Sequence, residues 1–227
     1  MTVTRGRLIV LEGQESSGKS TQAPRLLQWL ADHGIDATLL REPGGTDAGE
    51  KIREMVLHVP YQLTPATEAL LFMASRAELV DRVIKPNLRE GRSVILDRFF
   101  LSTYAYQVAG RGLDPELVAS ANALATQGLV PDLTVVLTLS AAARRARLDR
   151  RGGHDKIERA GDQFHARVDA AFERFLDPAW QAGHPEAGPI IGIDGAGTED
   201  EVLNRITAAL TRAWPETFAV SSGFHHQ

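Results

Sequence analysis

Five short apolar runs punctuate the chain: Arg7–Glu12, Asp36–Arg41, Ser93–Asp97, Leu133–Leu139 and Pro189–Asp194. Each is apolar nearly throughout rather than alternating, the pattern of strands covered on both faces of a parallel sheet. Helical patterns separate them. Lys19–His33 opens after a glycine-rich turn and stops at Gly34. Thr64-Pro65 pairs a cap residue with proline at the first helical position, predicting a long helix that ends near Lys85, ahead of Pro86. Asp114-Pro115 repeats that signal for a helix through about Ala125, and Ser140 caps an arginine-rich helix stopping at Gly152-Gly153. From Lys156 to Leu176 the residues Ile157, Phe164, Val168, Phe172 and Phe175 recur at helical spacing; Val202, Ile206 and Leu210 mark a last amphipathic helix. Strand–helix alternation predicts an α/β domain, a five-stranded parallel sheet with helices on both faces. No repeat, linker or break in composition divides it. Residues 1–214 read as one domain, and 215–227, ending SSGFHHQ, as a frayed, disordered tail.

Composition narrows the chemistry. With 43% hydrophobic and 24% charged residues, the 227-residue chain can bury a sizeable core. The absence of cysteine excludes disulfide scaffolds, thiolate metal sites and cysteine nucleophiles. A net charge of −4 gives no general attraction to nucleic acid or anionic lipid. The apolar run near the N-terminus is too short for a secretory signal or membrane span, so a cytoplasmic protein without nucleic-acid or membrane partners is expected. The histidines, His225 and His226 included, have no metal-ligand spacing.

The strongest local signal is Gly13-Gln14-Glu15-Ser16-Ser17-Gly18-Lys19-Ser20, a full match to G-x-x-x-x-G-K-[ST] between a predicted strand and a predicted helix. Glycines let the backbone turn successive N–H groups toward phosphate oxygens, and the helix dipole adds positive potential there. Lys19 reaches the β- and γ-phosphates, and the Ser20 hydroxyl ligates magnesium. The expected nucleotide-binding set is Gly13, Gln14, Glu15, Ser16, Ser17, Gly18, Lys19, Ser20 and Thr21. A guanine-reading N-K-x-D is missing. The third strand ends Asp97-Arg98 rather than in paired acids; an arginine there faces the ligand crevice of an open α/β sheet and suits a second anionic substrate.

Further stretches carry a resemblance. Glu12-Gly13 leading into the phosphate loop, Arg41-Glu42-Pro43-Gly44-Gly45-Thr46, Phe72 and Arg76 in LLFMASRAELV, Asp97-Arg98, and Ser102-Thr103-Tyr104-Ala105-Tyr106-Gln107 resemble thymidylate kinase of the bacterial type, over about Arg7 to Leu210. The resemblance implies a three-layer P-loop kinase fold, phosphorylation of dTMP to dTDP with ATP and Mg2+ in dTTP biosynthesis, and a homodimer. It puts Glu15 near the acceptor's 3′-hydroxyl, Phe72 stacked on thymine and Arg76 hydrogen-bonded to the base. Arg98 would grip the acceptor phosphate, Pro43 line the same pocket, and Thr103 and Tyr106 flank base and sugar, with Tyr106 crowding a ribose 2′-hydroxyl. Asp97 would help Ser20 hold the metal. Positions four apart share a helix face, which agrees with Phe72 and Arg76 acting together.

Some relatives carry arginine directly after the loop's acid; here that residue is Ser16. The resemblance then implies a lid, about residues 144–158, that supplies the charge. Arg144, Arg147 and Arg151 share a helix face at i, i+3 and i+7. Arg151 and Arg147 lead as the residues reaching the transferred phosphoryl group, beside the catalytic Lys19 and Arg98. Asp194-Gly195-Ala196-Gly197 would loop around adenine. Another nucleoside or nucleotide monophosphate kinase of this fold, or an ATP-driven switch without an acceptor, stays open as an alternative.

Overall fold

A computed structural model describes residues 5–151 and 161–218. Strands β1 (Leu8–Gly13), β2 (Ala37–Arg41), β3 (Ser93–Asp97), β4 (Leu133–Thr138) and β5 (Ile190–Asp194) form one parallel sheet in the order β2-β3-β1-β4-β5. The helices, in chain order, begin with α1 (Lys19–Asp32), α2 (Asp47–Leu57) and α3 (Pro65–Leu79). A π-helical stretch, Val80–Ile84, carries α3 into α4 (Lys85–Arg89). Next, α5 (Phe100–Thr103) passes into a second π-helical stretch, Tyr104–Gly110, followed by α6 (Pro115–Thr126), α7 (Ala141–Arg151) and α8 (Asp162–Arg174). The last are α9 (Pro178–Ala182), α10 (Glu199–Ala213) and α11 (Pro215–Phe218). Among the described residues no helix is long and apolar enough to cross a membrane.

The continuous apolar strands have a simple cause. In β1, Leu8 and Val10 enter one buried cluster and Ile9 and Leu11 the other, because successive side chains point to opposite faces. The first cluster is closed by α3, the second π-helical stretch and α8, through Leu79, Tyr104, Val168 and Phe172. The second is closed by α1 and α10, through Leu26, Leu30, Ile206 and Leu210. Both layers leave the carboxyl ends of β1 and β3 facing one crevice.

Two expectations are corrected. Pro86 does not end the helix: the wider turns of Val80–Ile84 precede it, and Pro86 falls in the first turn of α4, where a missing N–H is tolerated. The tail assigned to 215–227 begins too early, because α11 packs Phe218, 5% exposed, against Trp29 and Trp214. Residues 219–227 lie outside the described residues, as do 156–160 of the helix expected from Lys156, so α8 is described from Asp162. Helix α2 had no counterpart among the predicted elements, although Thr46 caps it by accepting from the Gly49 N–H.

Candidate active site

The crevice at the carboxyl ends of β1 and β3 is a cleft of about 730 Å³. At its floor, the turn after β1 runs through three residues of positive φ, Gly13 at 136°, Ser16 at 56° and Gly18 at 108°. Gly13 admits no side chain, because a Cβ there would stand 2.4 Å from the Leu137 carbonyl oxygen. Gly18 caps α1, whose first turn holds no acidic residue, so the helix N-terminus is left to a ligand anion. Lys19, 6% exposed, donates to the carbonyls of Gly13 (2.8 Å) and Gln14 (2.9 Å). Burial and the neighbouring Arg98 guanidinium pull its pKa down to about 7, against the pull of Asp97, Glu12 and Glu15. A helix N-terminus free of acids in its first turn, with Lys19 and Arg98 converging beside it, is the signature of a phosphate site.

Beside this floor, β3 delivers Asp97 and Arg98. Asp97 Oδ1 is buried and has no hydrogen-bond partner among the described residues. That orphaned oxygen, with the Ser20 hydroxyl on α1, is a donor set suited to Mg2+, which is commonly held by one or two carboxylates plus substrate phosphates. Arg98 takes a left-handed backbone conformation, φ 74°, unusual for a residue with a Cβ. Its N–H is held by the Leu11 carbonyl (3.0 Å), and its guanidinium bonds Ser102 Oγ (3.0 Å) and lies 5.2 Å from the Tyr106 ring centre. Buried Glu12 secures the turn by accepting from the N–H groups of Phe99 (2.7 Å) and Ser102 (3.0 Å) and from Ser102 Oγ (2.7 Å). Sequence spacing assigns no role to this carboxylate, which acts only through partners about 90 residues away.

The opposite wall comes from α3 and the Tyr104–Gly110 stretch. Half-buried Phe72 lines the cleft, as do the buried Thr103, Tyr106 and Gln107. The Tyr106 hydroxyl lies 3.4 Å from Glu15, and burial raises its pKa, so it stays a neutral donor. Pro43, joined to Glu42 by a cis peptide bond, lines the same wall, and its carbonyl accepts from Arg53 at 3.0 Å. Arg53 on α2 lines the cleft too, and went unread because its helix did.

Arg76, expected to hydrogen-bond the base, lines the cleft and is extensively engaged within the protein. At 2% exposure it directs Nε and Nη2 to Glu42 Oε2, Nη1 to Thr103 Oγ1 and Asn122 Oδ1, and Nη2 also to the Phe99 carbonyl. Those bonds occupy all five N–H groups, so a bond to a base requires one of them to be shared or released. The buried pair with Glu42 fixes the wall rather than projecting from it.

On the nucleotide side, Arg147 of α7 reaches over the loop. Its guanidinium bonds the carbonyls of Ser16 (3.4 Å), Ser17 (3.3 Å) and Gly195 (2.9 Å), tying helix, phosphate loop and the turn after β5 together. Gly195 must be glycine for this approach, since a Cβ would stand 2.8 Å from the Ser17 carbonyl oxygen. Arg144, on the same face, pairs instead with Asp169 of α8. The Arg151 side chain and residues 152–158 of the expected lid lie outside the described residues.

One cleft thus gathers Glu15, Ser16, Ser17, Gly18, Lys19, Ser20 and Thr21 with Pro43, Phe72, Arg76, Asp97, Arg98, Thr103, Tyr106 and Arg147; Gly13 and Gln14 lie beneath it as bonding partners of Lys19.

Comparison with known proteins agrees. The family model for thymidylate kinase matches residues 11–182. Thymidylate kinase from Deinococcus radiodurans is 42% identical over 209 residues, 92% of this chain and 98% of that one. The enzyme of the same name from Clavibacter sepedonicus is 45% identical over 186 residues, 77% and 88% of the two chains. The crystal structure of thymidylate kinase from Ehrlichia chaffeensis superposes with a TM-score of 0.71 at 28% identity, over 91% of this chain and 99% of that one. With matches that cover phosphate loop, acceptor wall and sheet alike, this chain belongs to the thymidylate kinase family.

Proposed function

We propose that the protein transfers the γ-phosphoryl group of ATP, with Mg2+, to dTMP, releasing ADP and dTDP for dTTP synthesis. The observation that carries this reading is the single cleft, which joins a phosphate loop to a second anion-binding arginine and an aromatic wall. An acceptor phosphate oxygen bonds the γ-phosphorus while the bond to the β,γ-bridging oxygen breaks. The acceptor is already ionised, so no general base is needed and catalysis is positioning plus charge stabilisation.

In this reading the loop from Gly13 to Thr21 holds the triphosphate, with Lys19 on its β- and γ-oxygens. Ser20 and Asp97 would hold Mg2+, whose charge would neutralise that of the phosphates. Arg98 grips the acceptor phosphate, Phe72 stacks on thymine, and Pro43, Arg76 and Thr103 shape the pocket around it. Glu15 meets the 3′-hydroxyl while Tyr106 closes the 2′ side. From α7, Arg147 and Arg151 complete the positive surround.

A homodimer is part of the proposal. Its support is an apolar face on adjoining helices, where Leu70 of α3 and Leu117 and Leu124 of α6 are 63%, 72% and 80% exposed. The test of function is a coupled assay for ADP with dTMP, dUMP, dCMP, AMP, GMP or thymidine as acceptor. ADP release that depends on dTMP and prefers it supports the proposal; equal release without any acceptor favours an ATPase switch.

A further inference from the structure

Glu68, Phe72 and Arg76 follow one another at intervals of four along α3, so they share a helix face. Phe72 and Arg76 reach the cleft, while Glu68, 3% exposed, lies one turn further back. Its Oε1 accepts from Gln107 Nε2 at 3.1 Å and Arg111 Nε at 3.1 Å, and its Oε2 accepts from Arg111 Nη2 at 2.9 Å. Arg111 is itself seated 4.7 Å above the Phe164 ring. Gln107, 2% exposed, stands between this ion pair and the cleft it lines.

An amide side chain can turn either end to a partner, but an ionised carboxylate only accepts. Glu68 therefore fixes which way Gln107 points. Its NH2 group faces back to Glu68, and its carbonyl Oε1 is the atom left to the cleft. Arg111 keeps that arrangement single-valued: its Nε and Nη2 donate to the two oxygens of Glu68 and hold the carboxylate in one orientation, with an acceptor turned to Gln107.

We propose that Glu68, held in place by its pair with Arg111, is a positioning residue that sets the polarity of Gln107 and so selects among pyrimidines. The proposal rests on the dTMP reading above. Thymine and uracil carry a hydrogen at N3, whereas cytosine presents a lone pair there. A fixed carbonyl accepts from the first two and repels the third; an amide free to turn serves all three. The device discriminates on the N3 position and is blind to the 5-methyl group.

The test is kcat/KM for dTMP, dUMP and dCMP at saturating MgATP, for the wild-type protein, Glu68→Gln, Arg111→Met, Gln107→Met and the double variant Glu68→Gln/Gln107→Met. Glu68→Gln should lower the dTMP-to-dCMP ratio by about tenfold or more, through a higher KM for dTMP and a gain with dCMP. The dTMP-to-dUMP ratio and the KM for ATP should stay as in wild type, a pattern that general loosening of the fold would not produce. Adding Glu68→Gln to Gln107→Met should leave the dTMP-to-dCMP ratio of the single Gln107 variant unchanged, because one residue acts through the other. A folded Glu68→Gln protein with the wild-type ratio overturns the proposal. If that variant does not fold, Arg111→Met carries the same expectation and the same overturning result. A wild-type protein that does not prefer dTMP to dCMP removes the underlying functional reading instead, which the first measurement reveals before any variant is compared.

Discussion

Glu12 holds Arg98 at one remove through Ser102, whose hydroxyl donates to Glu12 Oε2 at 2.7 Å and accepts from Arg98 Nη1 at 3.0 Å. Arg98, at the carboxyl end of β3, is thereby aimed by a buried carboxylate behind the cleft wall. Ser102→Ala removes the link, leaves one Glu12 oxygen short of a donor, and frees the guanidinium. The expected result is a KM for dTMP raised by about tenfold with little change for ATP, and a loss of about 1–3 kcal/mol in stability. Steady-state kinetics against each substrate and denaturant unfolding check the two halves separately.

Lys19 predicts a proton balance. Its pKa is about 7 in the empty protein, where burial and Arg98 oppose its charge, and a bound polyphosphate reverses that balance. Nucleotide binding at pH 8 should therefore take up close to one proton, and at pH 6 almost none. Calorimetry of ATP-analogue binding in buffers of different ionisation heat measures this directly; equal uptake at both pH values would contradict it. The stability consequence has a definite sign. The folded pKa lies below the ordinary value of 10.5, so the unfolded chain binds more protons between them, and this residue's penalty is full below pH 7 and fades as pH rises toward 10.5. Lys19→Met should accordingly raise the melting temperature more at pH 6.5 than at pH 9.5 while abolishing turnover.

The arginines of α7 should separate by function. Arg144 is engaged with Asp169, and Arg147 spans Ser16, Ser17 and Gly195 on the nucleotide side. Arg147→Ala should mainly raise the KM for ATP, by about tenfold, as expected for a contact made equally in ground and transition states. Arg151, one turn further along, should instead carry the transition-state charge, and Arg151→Ala should cut kcat by on the order of 10³. Arg144→Ala should alter neither by more than a few-fold. Initial rates over a matrix of ATP and dTMP concentrations resolve all three.

How much of this was legible in the sequence follows from the range of the interactions. The strands are local: β1, β3 and β4 are buried nearly throughout and the edge strands β2 and β5 are still short apolar runs, so all five are legible within a residue or so of their ends. The phosphate loop is local too. Helix α2 was hidden because Gly49 interrupts its pattern, and that glycine is there for packing, since a Cβ would meet the Gly44 carbonyl oxygen at 2.8 Å. The engaged state of Arg76 was unreadable because Glu42, Thr103 and Asn122 stand 34, 27 and 46 residues away in sequence. Phe218 looked like tail for a similar reason, as its partner Trp29 lies on the first helix.

Acceptor choice gives the most demanding prediction, because two residues on one wall are assigned separate tasks. The half-buried Phe72 ring is available to a planar base, and a stacked base is worth about 1–3 kcal/mol on aromatic platforms. Phe72→Ala should therefore raise the KM for dTMP by about ten- to a hundredfold and leave ATP nearly untouched, since the phosphate loop is built from other elements. Tyr106 is held differently, its ring packed under Arg98 and against Phe164 and Phe172, and its hydroxyl 3.4 Å from Glu15. Such a buried ring cannot yield to an added hydroxyl, so discrimination against ribo-TMP should depend on its bulk. Tyr106→Phe should keep that discrimination while weakening the hold on Glu15; Tyr106→Ala should lose it and also loosen Arg98. The measurement is kcat/KM for dTMP and ribo-TMP across the wild type and these three variants. Unchanged dTMP kinetics in Phe72→Ala would contradict the stacking role, and unchanged ribo-TMP rejection in Tyr106→Ala would move the 2′ wall to another residue.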